Sequence, residues 1–212
     1  MISQSTQIPE SFKGEMMRKL TILITLIAVA CAASAQEPSK PAASKQPTPM
    51  SSSPLIASNK LVYDVGMMFI LASAAKVPEE DYNFKPTDVV RSFGQILGHV
   101  ADAQYNFCAI ARGEKDPNPD IEHTKTSKAD LIAALNQAVA YCDKAYDGLT
   151  DTSSAQTVKF RGMDTPKLTI LNVNNGHASE HYGNLVTYMR LKNILPPSSD
   201  PEFLKQLMPS KK

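Results

Sequence analysis

The sequence has no tryptophan, and aromatic residues make up only 7 % of its 212 residues. It has no internal repeat and no block of basic charge, and its nine glycines are scattered. Long runs of Ala, Leu, Ile, Val and Met, interrupted by some of the fifteen prolines, favour helix over strand. With 42 % hydrophobic residues the chain can bury one good core but hardly two. The expected class is all-α, in a single domain.

The apolar run near the N-terminus is too short to hold a bilayer. Residues 18–30, RKLTILITLIAVA, are a short basic stretch followed by about eleven apolar residues, too few to span a ~30 Å hydrocarbon core stably. Ala33-Ser34-Ala35 then gives the small-x-small pattern of a signal-peptidase site. Residues 1–35 therefore read as a signal peptide, with the true start at Met16 or Met17, and the protein as exported, periplasmic or secreted, with no stable transmembrane span in the mature chain. A lipoprotein reading through Cys31 is disfavoured, because the residue three before it is Ala28 and not a larger aliphatic.

Cleavage removes Lys13, Arg18 and Lys19 from the 22 basic residues and Glu10 and Glu15 from the 21 acidic ones, leaving 19 of each. That balance argues against a nucleic-acid or anionic-membrane partner. Two cysteines survive, Cys108 and Cys142, which an oxidising compartment allows to pair. Two buried free thiols are the other reading.

Residues 36–53 carry Pro, Ser, Ala, Lys and Gln with almost nothing to bury, a flexible linker. Four helical segments follow within residues 54–200, and 201–212 read as a C-terminal tail. Ser53-Pro54 opens the first, with Leu61, Val65, Met68, Ala72 and Ala75 as its stripe before Pro78. Thr87 is the expected cap of the second, whose stripe is Val89, Phe93, Ile96, Val100, Ala103 and Phe107, ending at Gly113. Ser127 with Asp130 resembles a capping box for the third, with Leu131, Leu135, Ala138 and Cys142 facing inward. Thr165-Pro166 starts the fourth, which runs to about Asn193. The second and third connections are long enough to cross a bundle end to end, and 156–163 has the character of a short extended segment. Parallel second and third helices would bring Cys108 and Cys142 to similar levels, whereas antiparallel ones would separate them.

The fourth helix points His177 and His181 along the same face as Leu171, Ala178, Leu185 and Tyr188. Positions i and i+4 can present two ring nitrogens to one ion. His99 lies about as far along the second helix as His177 along the fourth, so all three fall near mid-level whichever way the helices run. Three imidazoles leave a coordination position open, as in catalytic and not structural zinc-type sites. His123, in the crossover DPNPDIEHTKT, reads as a solvated loop residue. HExxH is absent because Ala178 follows His177. HxxEH does match residues 177–181, but Glu180 is rotated ~100° from His181 on a helix and reads as a solvent-facing charge.

SFGQILGHVADAQYNF (92–107) and HASEHYGNLVTYMRLKNILPPSS (177–199) resemble the corresponding segments of the DinB-like metal-binding four-helix bundles. The resemblance covers roughly residues 56–198. It implies an up-down-down-up bundle and a divalent metal ion held by His99, His177 and His181, with Zn, Ni or Fe foremost and Cu or Co also suited to imidazoles. It further implies a metal-dependent enzyme acting on a small-molecule substrate or thiol, as a thiol transferase; an oxidising compartment suits a hydrolase better, and the alternative is a non-catalytic envelope protein that binds metal or a small ligand. Tyr182 and Asn184 stand where the family often has Arg and Gln, and Asn193 near a usual Gly. Tyr63, Met67 and Phe69 of the first helix are candidates to line the open side of the site. Its apolar surface could also pair two copies as a homodimer.

Overall fold

The computed structural model describes residues 52–207. The expected signal peptide, Cys31 and nearly all of the expected linker lie outside that range, as do residues 208–212. The described chain is all-α apart from one hairpin, and four long helices form the bundle: α1 (Pro54–Lys76), α2 (Phe93–Arg112), α4 (Lys128–Tyr146) and α6 (Lys167–Leu191). Short helices α3 (Ile121–Thr124), α5 (Asp151–Ser154) and α7 (Pro201–Leu207) lie between or after them. The hairpin pairs β1 (Thr157–Phe160) antiparallel with β2 (Met163–Pro166). Its two-residue turn, Arg161-Gly162, takes positive φ at both positions (50° and 82°), as a tight hairpin requires.

Each long helix has a local reason to begin. Asp151 of α5 accepts hydrogen bonds from Leu55 N and Ile56 N, so a distant carboxylate satisfies the first free amides of α1. The second long helix starts at Phe93 and not after Thr87. Ser92 Oγ accepts from Gln95 N at 3.2 Å while Gln95 Oε1 accepts from Ser92 N at 2.8 Å, a reciprocal box that fixes the start. Thr87 offers no such pair, and Val89 is left 93 % exposed on the loop. Ser127 caps α4 through Asp130 N as the sequence suggests. Pro166 closes β2, and α6 follows directly. At its C-terminus Asn193 adopts the left-handed conformation (φ 58°) and Ile194 N reaches back to Met189 O at 2.8 Å, so Asn does here what glycine usually does.

Helix α2 packs against α4 and α6, and α1 packs against the same two. Cys108 and Cys142, both near the C-terminal ends of their helices, form a disulfide with Cα atoms 5.2 Å apart, so α2 and α4 run the same way. Asn174 bonds Gln104 and Tyr188 bonds the Arg91 carbonyl, so α6 runs opposite to α2. The core is built from Tyr63, Met67, Ile70, Leu97, Leu135 and Leu171 among others.

In α1 the expected stripe holds only in part: Met68 and Ala72 are buried, but Leu61 and Val65 are 64 % and 40 % exposed while Tyr63 and Met67 are buried in their place. This helix is apolar nearly all round, so periodicity alone does not choose its inner face. By length and composition it could cross a membrane (23 residues, mean hydropathy 1.4), a property it shares with the core helices of many bundles. Residues 201–207 are helical, with Phe203 buried against Phe69 and Lys76 paired to Asp200 at 2.6 Å.

Candidate metal centre

Helix α2 carries His99 and helix α6 carries His177 and His181, and the antiparallel packing of these two helices brings all three rings together. His99 Nε2 and His181 Nε2 each lie 3.1 Å from His177 Nε2. A tetrahedral ion with metal–nitrogen bonds of ~2.0–2.1 Å separates neighbouring ligand nitrogens by about 3.3 Å, within a few tenths of these edges. Three like ring nitrogens at such distances cannot all be satisfied by the protons between them, and a cation accepting one lone pair from each resolves the conflict. The residues present therefore fit a divalent metal.

The electrostatics agree. Burial, followed by His181, His99 and Arg91, lowers the His177 pKa to about 4, and burial followed by His99 also pushes that of His181 below its ordinary value. Both rings are thus held neutral near pH 7, the form that ligates metal.

The outer ring nitrogens differ in what they meet. His99 Nδ1 donates to Glu122 Oε2 at 2.9 Å, which leaves its Nε2 as a lone pair aimed into the cluster. His181 Nδ1 faces the Asn184 amide at 3.3 Å; with the proton on Nδ1, the amide presents its oxygen. His177 Nδ1 is buried without a hydrogen-bond partner. Glu122 is shared: its Oε1 accepts from Arg91 Nε at 2.8 Å. Burial alone would raise the Glu122 carboxyl, but Arg91 and His99 outweigh it and hold the group below the usual carboxylate range.

A cleft of about 740 Å³ reaches the cluster at His181, with Arg91, Gln95, Glu122, Asn184 and Tyr188 among its walls. Its outer edge is the loop from Lys85 to Arg91. Glu180 lies on the rim, exposed, and makes no contact with the cluster's ring nitrogens. His123 is also exposed, bonded at 2.6 Å to Asp120. The first helix does not supply the cleft as expected: Tyr63 packs at a tilt against Tyr146, Met67 is fully buried, and Phe69 stacks on Tyr182. Tyr182, one of the departures from the family pattern, also accepts a hydrogen bond from Ser198 N and so ties the C-terminal segment to α6.

A family model describing the DinB superfamily matches residues 69–185, which include all three histidines. The chain belongs to the DinB superfamily. Among solved structures, this DinB chain is similar to a DinB-like protein from Bacillus cereus, at 14 % identity and a TM-score of 0.60, over 67 % of this chain and 95 % of that one. It is also similar to a histidine-to-alanine mutant of a mycothiol-dependent maleylpyruvate isomerase, at 15 % identity and a TM-score of 0.54, over 72 % of this chain and 67 % of that one. At such identities the likeness carries the fold alone. No curated protein sequence matches.

Glu122, Arg91 and Asn184 are the site residues that sequence reading missed. The contact between Glu122 and His99 joins residues 23 apart through an irregular crossover, which no helical periodicity reports.

Proposed function

We propose that this protein is an exported, divalent-metal-dependent enzyme acting on a small molecule. The observation that carries the reading is that three ring nitrogens converge beside a cleft that reaches them at His181, with no fourth protein ligand grouped with them among the described residues. When bound, the ion supplies a Lewis-acid site that lowers the pKa of a coordinated thiol or water. His99, His177 and His181 would hold it, with zinc, nickel and iron all suited to imidazole. Glu122 fixes the outer proton of His99, and Asn184 orients His181. Tyr188 donates to the Arg91 carbonyl at 2.8 Å and braces the mouth of the cleft, so that its walls are set before a ligand arrives.

Thiol transfer and hydrolysis both suit such a site. Coordination of a thiol by the ion is the basis of the first, and an oxidising compartment, supported by the Cys108–Cys142 disulfide, favours the second.

Elemental analysis of residues 36–212, purified without a His tag, tests the reading beside His177→Ala. The expected result is about one divalent ion per chain in the parent and little in the variant. In the cobalt-loaded protein, added small thiol or substrate should shift the visible spectrum, as an open coordination position requires. An ion whose spectrum no small ligand perturbs would leave a metal-stabilised binding protein. No ion after reconstitution with zinc, nickel and iron would overturn the reading.

A further inference from the structure

The crossover between α2 and α4 is held against the site by a small clamp on α2. Gly98 and Asp102, four residues apart, face the short helix α3. Asp102 accepts hydrogen bonds from Ile121 N at 2.8 Å and Glu122 N at 2.9 Å, one through each carboxylate oxygen. These are the first two free amides of α3, which has no side-chain cap of its own. Gly98 leaves room for the backbone to arrive: a Cβ there would stand 2.7 Å from Glu122 Cα and 2.9 Å from Glu122 N. Ile121, buried at 5 % exposure, pins the same turn from its apolar side.

The result is directional. His99 lies between the two clamp residues in sequence, and the clamped backbone delivers the Glu122 carboxylate to its outer nitrogen. The second carboxylate oxygen is held by Arg91, so the group has little freedom to turn away. We propose that Glu122, placed by Gly98 and Asp102, is a positioning residue: it locks the tautomer and rotation of His99 and thereby sets how tightly the three-histidine site holds a divalent ion. The inference rests on the metal-binding reading above. It concerns one side of the site, since His177 has no such partner and Asn184 is a neutral one.

The test is zinc affinity, measured by chelator competition on the full mature chain, with the visible spectrum of the cobalt-loaded form as a second readout. Glu122→Ala should weaken zinc roughly 10–100-fold and alter the cobalt bands, the usual scale for an outer-shell partner of a metal-bound histidine. Glu122→Gln retains an acceptor for the His99 proton and should restore most of the loss. Gly98→Ala keeps the carboxylate but displaces its backbone and should also weaken zinc, which covers the case in which Glu122→Ala does not fold. A parent that binds no zinc would refute the metal reading itself. A parent that binds, with folded variants of the same affinity and the same cobalt spectrum, would overturn the positioning role and leave Glu122 a merely structural partner of Arg91.

Discussion

The Cys108–Cys142 disulfide closes a loop with a sequence separation of 34, from the end of α2 through α3 to the end of α4. For a loop of that size, the lost chain entropy of the unfolded state corresponds to roughly 3.8 kcal/mol of stability at 25 °C. In a domain of this length 1 kcal/mol shifts the melting temperature by about 2–4 °C, so removing the bridge should lower it by about 8–15 °C. Both cysteines are fully buried, so their replacement by Ala removes packed sulfur as well and makes this a lower bound. Alanine is preferable to serine, which would bury two hydroxyls in the apolar layer beside Asn174. The assay is urea unfolding of residues 36–212 beside the Cys108→Ala/Cys142→Ala double variant, with free thiols counted after unfolding without reductant. Two reactive thiols in the parent, or midpoints that coincide, would refute both the bridge and the argument for an oxidising compartment built on it.

Ser92→Ala removes half of the reciprocal box at the start of α2 and should cost about 1 kcal/mol, read as a lower urea midpoint with unchanged slope. An unchanged midpoint would mean that packing of Phe93 alone fixes the start. Asp200 is held below its usual value of 3.8 chiefly by Lys76, with backbone amides adding to it. A depressed carboxylate contributes stability above its unfolded pKa and loses it as pH falls through the folded value. The melting temperature of Asp200→Asn should therefore lie below the parent's at pH 7, and the gap should close as the pH drops below 3.8. A gap independent of pH would assign the effect to the turn at Asp200 and not to its charge.

The legible features were those written in local spacing. The i, i+4 pair His177 and His181 and the inward face of α4 needed only helical period, and Gly113 marked the end of α2 with a left-handed φ of 71°. The inner face of α1 was not legible, because apolar residues surround it and only the neighbouring α4 and α6 decide which of them is covered. Thr87, the expected cap of α2, lies five residues before the actual one, Ser92. The Gln95 side chain returning to Ser92 N decided between them, a contact that the S-x-x-Q spacing could have disclosed. Glu122 left the faintest trace: a glycine at position 98, in a helix that would favour almost any other residue, marks where another backbone comes close.

The antiparallel register of α2 and α6 also explains why the site opens in one direction. Read from the disulfide upward, α2 presents Cys108, Gln104, His99 and Gln95, and Arg91 follows on the loop before the helix. Against it α6 presents Asn174, His177, His181, Asn184 and Tyr188. At the lower end Asn174 bonds Gln104 at 2.8 Å and sits 3.5 Å from Cys142 Sγ, both amides fully buried, and the disulfide ties α2 to α4 there. Toward the other end the pairs widen into the cleft, where Gln95 and Asn184 are exposed. On the proposed function a ligand would approach from the start of α2, past Arg91, and meet the cluster at His181, the ring that lines the cleft. The same sequence order that closes one end of the bundle leaves the His181 side of the cluster facing the cleft.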